Sequence, residues 1–198
     1  MNPAVSIAER WNNRAIIGLL WPLVLEQVLA VTMGAADTIM VSSVGEYAVS
    51  AVNIVDNINN LLIIAFTSLC AGGAVVVSQY IGRKDYRNSS IAAKQLVYSV
   101  ALISLVMTVF AVLLRRPVVR LIYGNIEYDV MNAAAIYFLF TGLSYPFLAL
   151  NSANAALLRA MGNSKVPMRI AILVNIINIG GNAFFIYVLK IEIGRAHV

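Results

Sequence analysis

The sequence predicts an all-α integral membrane protein, a bundle of transmembrane helices. Three observations predict it. Of the 198 residues, 61% are hydrophobic and 12% are charged, against about 45–50% and about 25% in a soluble domain. Mean hydropathy is +0.83. The apolar residues fall into five runs, each able to supply the roughly 20 residues that a spanning helix needs, with most charges held in the connectors between them.

Residues 1–14, "MNPAVSIAERWNNR", lack a basic-then-apolar signal design and read as a cytoplasmic N-terminal segment. The first span covers 15–41 and contains Pro22, which removes a backbone hydrogen bond and permits a kink. The second covers 52–81. It carries Asn53, Asn57, Asn60, Thr67 and Ser78, with Gly72, Gly73 and Gly82 expected to serve helix packing. Cys70, the single cysteine, forms no internal disulfide and is expected to behave as a small hydrophobe.

"GRKDYRNSS" reads as a solvated cytoplasmic loop before the third span, 93–114. "RRPVVRLIYGNIEYD" follows as a connector, with Pro117 and Gly124 as breakers. The fourth span, 130–158, repeats polar residues every seventh position at Tyr137, Ser144 and Asn151, with Asn154 beside them. The fifth, 166–189, places Asn175, Asn178 and Asn182 at i, i+3 and i+7, one helical face. Gly180 and Gly181 there are expected to admit a neighbouring helix.

The last residues, 192–198, "EIGRAHV", follow no sixth apolar run. One back-translation of them resembles the start of a common sequencing-library adapter. They are expected to be adapter read-through, with the native frame continuing after Ile191, so His197 carries no metal reading.

Basic residues favour the cytoplasmic side of a membrane. With the N-terminus inside, Arg10, Arg14, Arg83, Lys84, Arg87, Lys94, Arg159, Lys165 and Arg169 lie inside, and Arg115, Arg116, Arg120 and Lys190 outside. The expected location is a plasma (inner) membrane, multi-pass. The net charge of +5 is spread over connectors rather than gathered in a stripe, which argues against nucleic acid as a partner. No Ser/His/Asp or Cys/His set, phosphate loop or metal-ligand spacing occurs outside the tail, so the chain is read as no enzyme and without a cofactor.

Two acids interrupt the first span. Glu26 and Asp37 are eleven residues apart, nearly three whole turns, and so share a face. A charge at the bilayer centre costs about 2.5–3.5 kcal/mol on insertion scales and normally faces protein or a water-filled cavity. Together with amide-rich faces on three other spans, Asp37 points to a polar interior enclosing a substrate path. Glu26, Tyr137, Asn151, Asn154 and Asn175 would be its accessory lining. Taken singly, each amide fits equally well as interhelical glue worth about 0.6 kcal/mol. Asp56, near the start of the second span, reads as a solvated acid favoured by the helix dipole.

"ADTIMVSSVGEYAVSAV" after Pro22, "GGAVVVSQYIGRKD", "YPFLALNSANAALLRAMGNSKVPM" and "NIINIGGNAFFIY" resemble, in order and spacing, the N-terminal half of a multidrug and toxic compound extrusion (MATE) transporter. The resemblance covers residues 15–190. It implies a fold of twelve helices in two six-helix lobes, of which this chain holds five of the six transmembrane helices of the N-lobe. The sixth helix and the C-terminal lobe of the same polypeptide would be missing. It implies export of cationic amphipathic compounds in exchange for H+ or Na+. Asp37 matches the family's first-helix acid, Pro22 the proline about which that helix is proposed to bend, and Asn178 and Asn182 the polar pair of the fifth helix. Many relatives have Asp at the second of these positions, so Asn182 leaves Asp37 as the site's expected sole carboxylate. Tyr137 and Asn154 match polar residues of the fourth helix.

A lipid-linked oligosaccharide flippase of the same superfamily is the first alternative. It would need basic residues within the spans to hold pyrophosphate. A non-transporting membrane scaffold or subunit is the second, and would need no coupling acid.

Overall fold

The computed structural model describes residues 13–42 and 45–184. Most of the N-terminal segment, the end of the fifth span and the tail with His197 lie outside the described residues. Five helices follow one another: α1 (Asn13–Ser42), α2 (Glu46–Gly82), α3 (Tyr86–Tyr123), α4 (Tyr128–Ala160) and α5 (Lys165–Ala183). All five are long and apolar enough to cross a membrane. With no water to satisfy backbone polar groups, helices answer this need segment by segment. At 1.5 Å per residue, α2 and α3 reach about 55 Å, well beyond a hydrocarbon core of about 30 Å, and so protrude or tilt.

Short connectors turn each helix back beside the last. The α1–α2 and α3–α4 connectors lie at one end of the bundle, here the first end. The α2–α3 and α4–α5 connectors lie at the second. Asp85 caps α3, its carboxylate accepting from the Asn88 backbone N–H at 3.1 Å. The α4–α5 turn needs Gly162 at φ +80°, a left-handed conformation that costs glycine little.

Three of the expected boundaries move by six residues or more. α2 begins at Glu46 rather than at 52, and α3 at Tyr86 rather than at 93, so the second half of "GRKDYRNSS" is helix and not loop. α3 does not end in a connector after 114. Its regular geometry breaks at Leu114 (φ −107°, ψ 15°), just before Pro117, and helix then resumes to Tyr123. Proline lacks an N–H and its ring presses on the carbonyl four residues back, here that of Leu113. It is tolerated in the first turn of the helix that resumes.

The core lies among α2, α3 and α4. Val55, Phe66 and Cys70 from α2 meet Val100 and Val119 from α3 and Phe138, Tyr145 and Ala149 from α4. Cys70 is free and buried there. Lipid removes the hydrophobic drive between helices, so small residues that permit close approach matter most. Gly142 shows this, because a Cβ added there would sit 2.8 Å from Ala111 Cβ on α3. Thr108 Oγ1 on α3 donates to the Gly142 carbonyl at 3.0 Å. Gly73 lies against the Leu96 side chain, but a Cβ at Gly72, Gly82, Gly180 or Gly181 meets nothing within 4 Å among the described residues. The packing expected of those four is not seen. α1 and α5 pack mainly on each other.

Candidate functional site

The polar residues of the spans gather into two stations, one toward each end. At the first end, Asn182 on α5 donates through Nδ2 to Asp37 Oδ1 on α1 at 2.7 Å and to Asn178 Oδ1 at 3.2 Å. The i, i+4 spacing of the two asparagines sets both amides on the α5 face turned to α1. All three side chains are half-buried.

Beside them lies a second acid that the sequence reading misplaced. Asp56 is no solvated helix-start residue. It sits half-buried, almost three turns into α2. Its Oδ1 accepts from the Tyr137 hydroxyl of α4 at 3.1 Å and from Asn59 Nδ2 at 3.4 Å. Asn59 in turn accepts, through Oδ1, the buried Tyr145 hydroxyl at 2.7 Å. Asp37 on α1 and Asp56 on α2 both lie toward the first end of the bundle. Asp37 is therefore not the only carboxylate in this region.

α2 also turns differently from the expectation. Asn53, Asn57 and Asn60 are exposed, and the buried line runs through Ala51, Val55, Ile58, Asn59, Phe66 and Cys70. The signal was present in that three-and-four spacing of small and apolar residues. Four asparagines within eight positions, 53 to 60, masked which amide faced inward.

The second station is a cavity of about 670 Å³ between α1, α2, α4 and α5. Glu26, Asn151, Asn154 and Asn175 line it with Thr67 and Ser78, among apolar Met33, Leu148 and Val174. Tyr137, expected in the same lining, belongs to the first station instead. Arg159, from the last turn of α4, is the lining's basic residue and is committed to Glu26, with Nη1 2.6 Å from Oε2. Glu26 and Asp37 share a face of α1 but serve different helices, α4 and α5.

Pro22 is buried, and α1 is a single helix through it. Among the described residues, no group of three or more His, Cys, Asp or Glu is placed to hold a metal ion.

The MatE family model matches residues 22–184, across all five helices. The chain belongs to the MatE family of transporters. "Uncharacterized transporter YisQ" of Bacillus subtilis is 29% identical over 173 residues, covering 87% of this chain. "Multidrug resistance protein MdtK" of Photorhabdus laumondii subsp. laumondii is 24% identical over 159 residues, covering 80%. The chain spans 38% and 34% of the lengths of these two relatives. A solved MOP superfamily transporter from Pyrococcus furiosus shares the fold, with a TM-score of 0.82 at 21% identity over 90% of this chain and 39% of that one. This MatE chain is thus a multi-pass membrane protein, and the two stations are features of its five described helices.

Proposed function

We propose that the chain forms the cation-coupling part of a secondary active transporter that exports cationic amphipathic compounds in exchange for H+ or Na+. The supporting observation is the Asp37–Asn182–Asn178 contact. It places an ionisable group at an α1–α5 joint inside otherwise apolar spans. Such groups in membranes characteristically mark ion and substrate pathways. The multidrug name of one relative agrees with this reading.

In the proposed mechanism, Asp37 exchanges its counter-ion. With a proton on the carboxyl, or with sodium among the oxygens, the hydrogen bond from Asn182 changes and α1 moves against α5. Pro22 supplies the flexible point. Asn182 turns its NH2 toward both partners in this structure, so sodium would require the amide to turn over and present Oδ1. The cavity near the second end would hold the substrate, apolar walls meeting its body and Asn151, Asn154 and Glu26 its polar groups. The N-terminus is proposed to be cytoplasmic in a plasma (inner) membrane, which makes the second end cytoplasmic.

The test is efflux of ethidium from proteoliposomes containing the intact gene product, driven in turn by a proton and a sodium gradient. Asp37→Asn should lower the initial rate at least tenfold under the coupling gradient. Gradient-driven efflux that ignores Asp37→Asn would make the coupling reading wrong, and no efflux with either gradient would bring the scaffold reading forward.

A further inference from the structure

Two oxygens on residues that line the second-end cavity are buried and accept no hydrogen bond among the described residues: Oε1 of Glu26 and Oδ1 of Asn175. Asn175 is only 6% exposed, and its Nδ2 is spent on the Ala171 carbonyl of its own helix at 3.0 Å. Glu26 gives Oε2 to Arg159 and keeps Oε1 unpaired. Buried polar atoms without a partner are rare in folded proteins, and each calls for a physical reason. Here both are acceptors, they come from α1 and α5, and the residues that carry them line the same cavity. What would satisfy them is a group that donates more than one hydrogen bond and bears positive charge, because one of the two is a carboxylate oxygen.

We propose that Glu26 and Asn175 form a recognition subsite for an N–H-bearing cationic head, a primary ammonium or amidinium, with Asn151 and Asn154 beside it. The subsite is separate from the Asp37 cluster. It refines the transport reading above and rests on it for its role. At the proposed cytoplasmic end, it would meet a substrate before Asp37 does. Arg159 tunes it by sharing the Glu26 carboxylate, so an incoming ammonium competes with an existing ion pair rather than meeting a bare charge. A quaternary ammonium of the same skeleton has charge but no donor, and leaves both oxygens unpaired. A site that hydrogen-bonds a donor group discriminates strongly against an analogue lacking it.

The test uses two matched probes on the intact gene product in detergent: 4-phenylbutylammonium and 4-phenylbutyltrimethylammonium, each titrated calorimetrically. The expected result is at least tenfold tighter binding of the primary ammonium, with the ratio falling below threefold in Glu26→Gln and in Asn175→Leu. If Glu26→Gln does not fold, Glu26→Gln with Arg159→Gln removes both charges and carries the same expectation. A wild-type ratio near one overturns the proposal. So does a tenfold ratio that survives both variants, because the oxygens are then held by water. Asp37→Asn, measured in parallel, should leave the ratio unchanged. Gradient-driven efflux that ignores Asp37→Asn, with the ratio intact, would sink the coupling reading and leave the subsite standing.

Discussion

The trio α2–α4 and the pair α1–α5 are both made of helices apolar enough to cross a membrane but are held in different ways. In the trio, a third of the α4 span is buried, 33%, against 6% for α1 and 11% for α5. The trio is joined by interdigitating side chains around Phe138 and Tyr145 and by close approach at Gly142. The pair meets through Asp37 and Asn182, and α1 is tied to α4 by Glu26 and Arg159. Dense packing has few alternative arrangements and resists displacement. A joint that contains a carboxylate and its amide partners changes when that charge changes. The contrast assigns rigidity to one region and the proposed movement to the other.

The largest effect should come from emptying the trio. Phe138→Ala should cost about 3–5 kcal/mol, read from thermal unfolding in detergent, whereas Ile177→Ala on the open face of α5 should cost no more than about 0.5 kcal/mol. Similar losses for the two would break the contrast. Close approach gives the next largest. Gly142→Ala forces a Cβ against Ala111 and should cost about 1–3 kcal/mol, while Gly34→Ala on α1, with open space around it, should cost nothing.

The tie between the regions is weaker. Arg159→Ala should destabilise by about 1–2 kcal/mol, less than a fully buried pair because both side chains are partly exposed. Adding Glu26→Ala should cost less than the sum of the two single changes, since it removes the stranded carboxylate. Additivity would show that the contact does not join α1 to α4. Smallest of all, Thr108→Val removes one interhelical hydrogen bond within the trio and should cost about 0.6 kcal/mol.

Much of the first station was legible because its elements are rare in a membrane span. A carboxylate in an apolar run, and two asparagines one turn apart, stand out against leucine and valine. Asp56 was not legible. With the span expected to start at 52 it read as a dipole-favoured acid, but α2 starts at Glu46, and the hydroxyl of Tyr137, 81 residues away, meets it. The same holds for Asn59, hidden among asparagines that face outward. The partner of Glu26 was equally hidden, because Arg159 belongs to a connector by sequence and to a cavity wall by packing.

Composition and run length were enough to show that the chain is helical, that its described residues hold five helices able to cross a membrane, and where ionisable groups interrupt them. Hydrocarbon permits few backbone solutions, so length and polarity of each run suffice. The tertiary structure alone decided how each helix is rotated about its axis, which polar residue meets which, and that the polar residues divide into two stations. Rotation depends on small-residue contacts such as Gly142 with Ala111, which act between helices far apart in sequence and leave no mark in the composition of either.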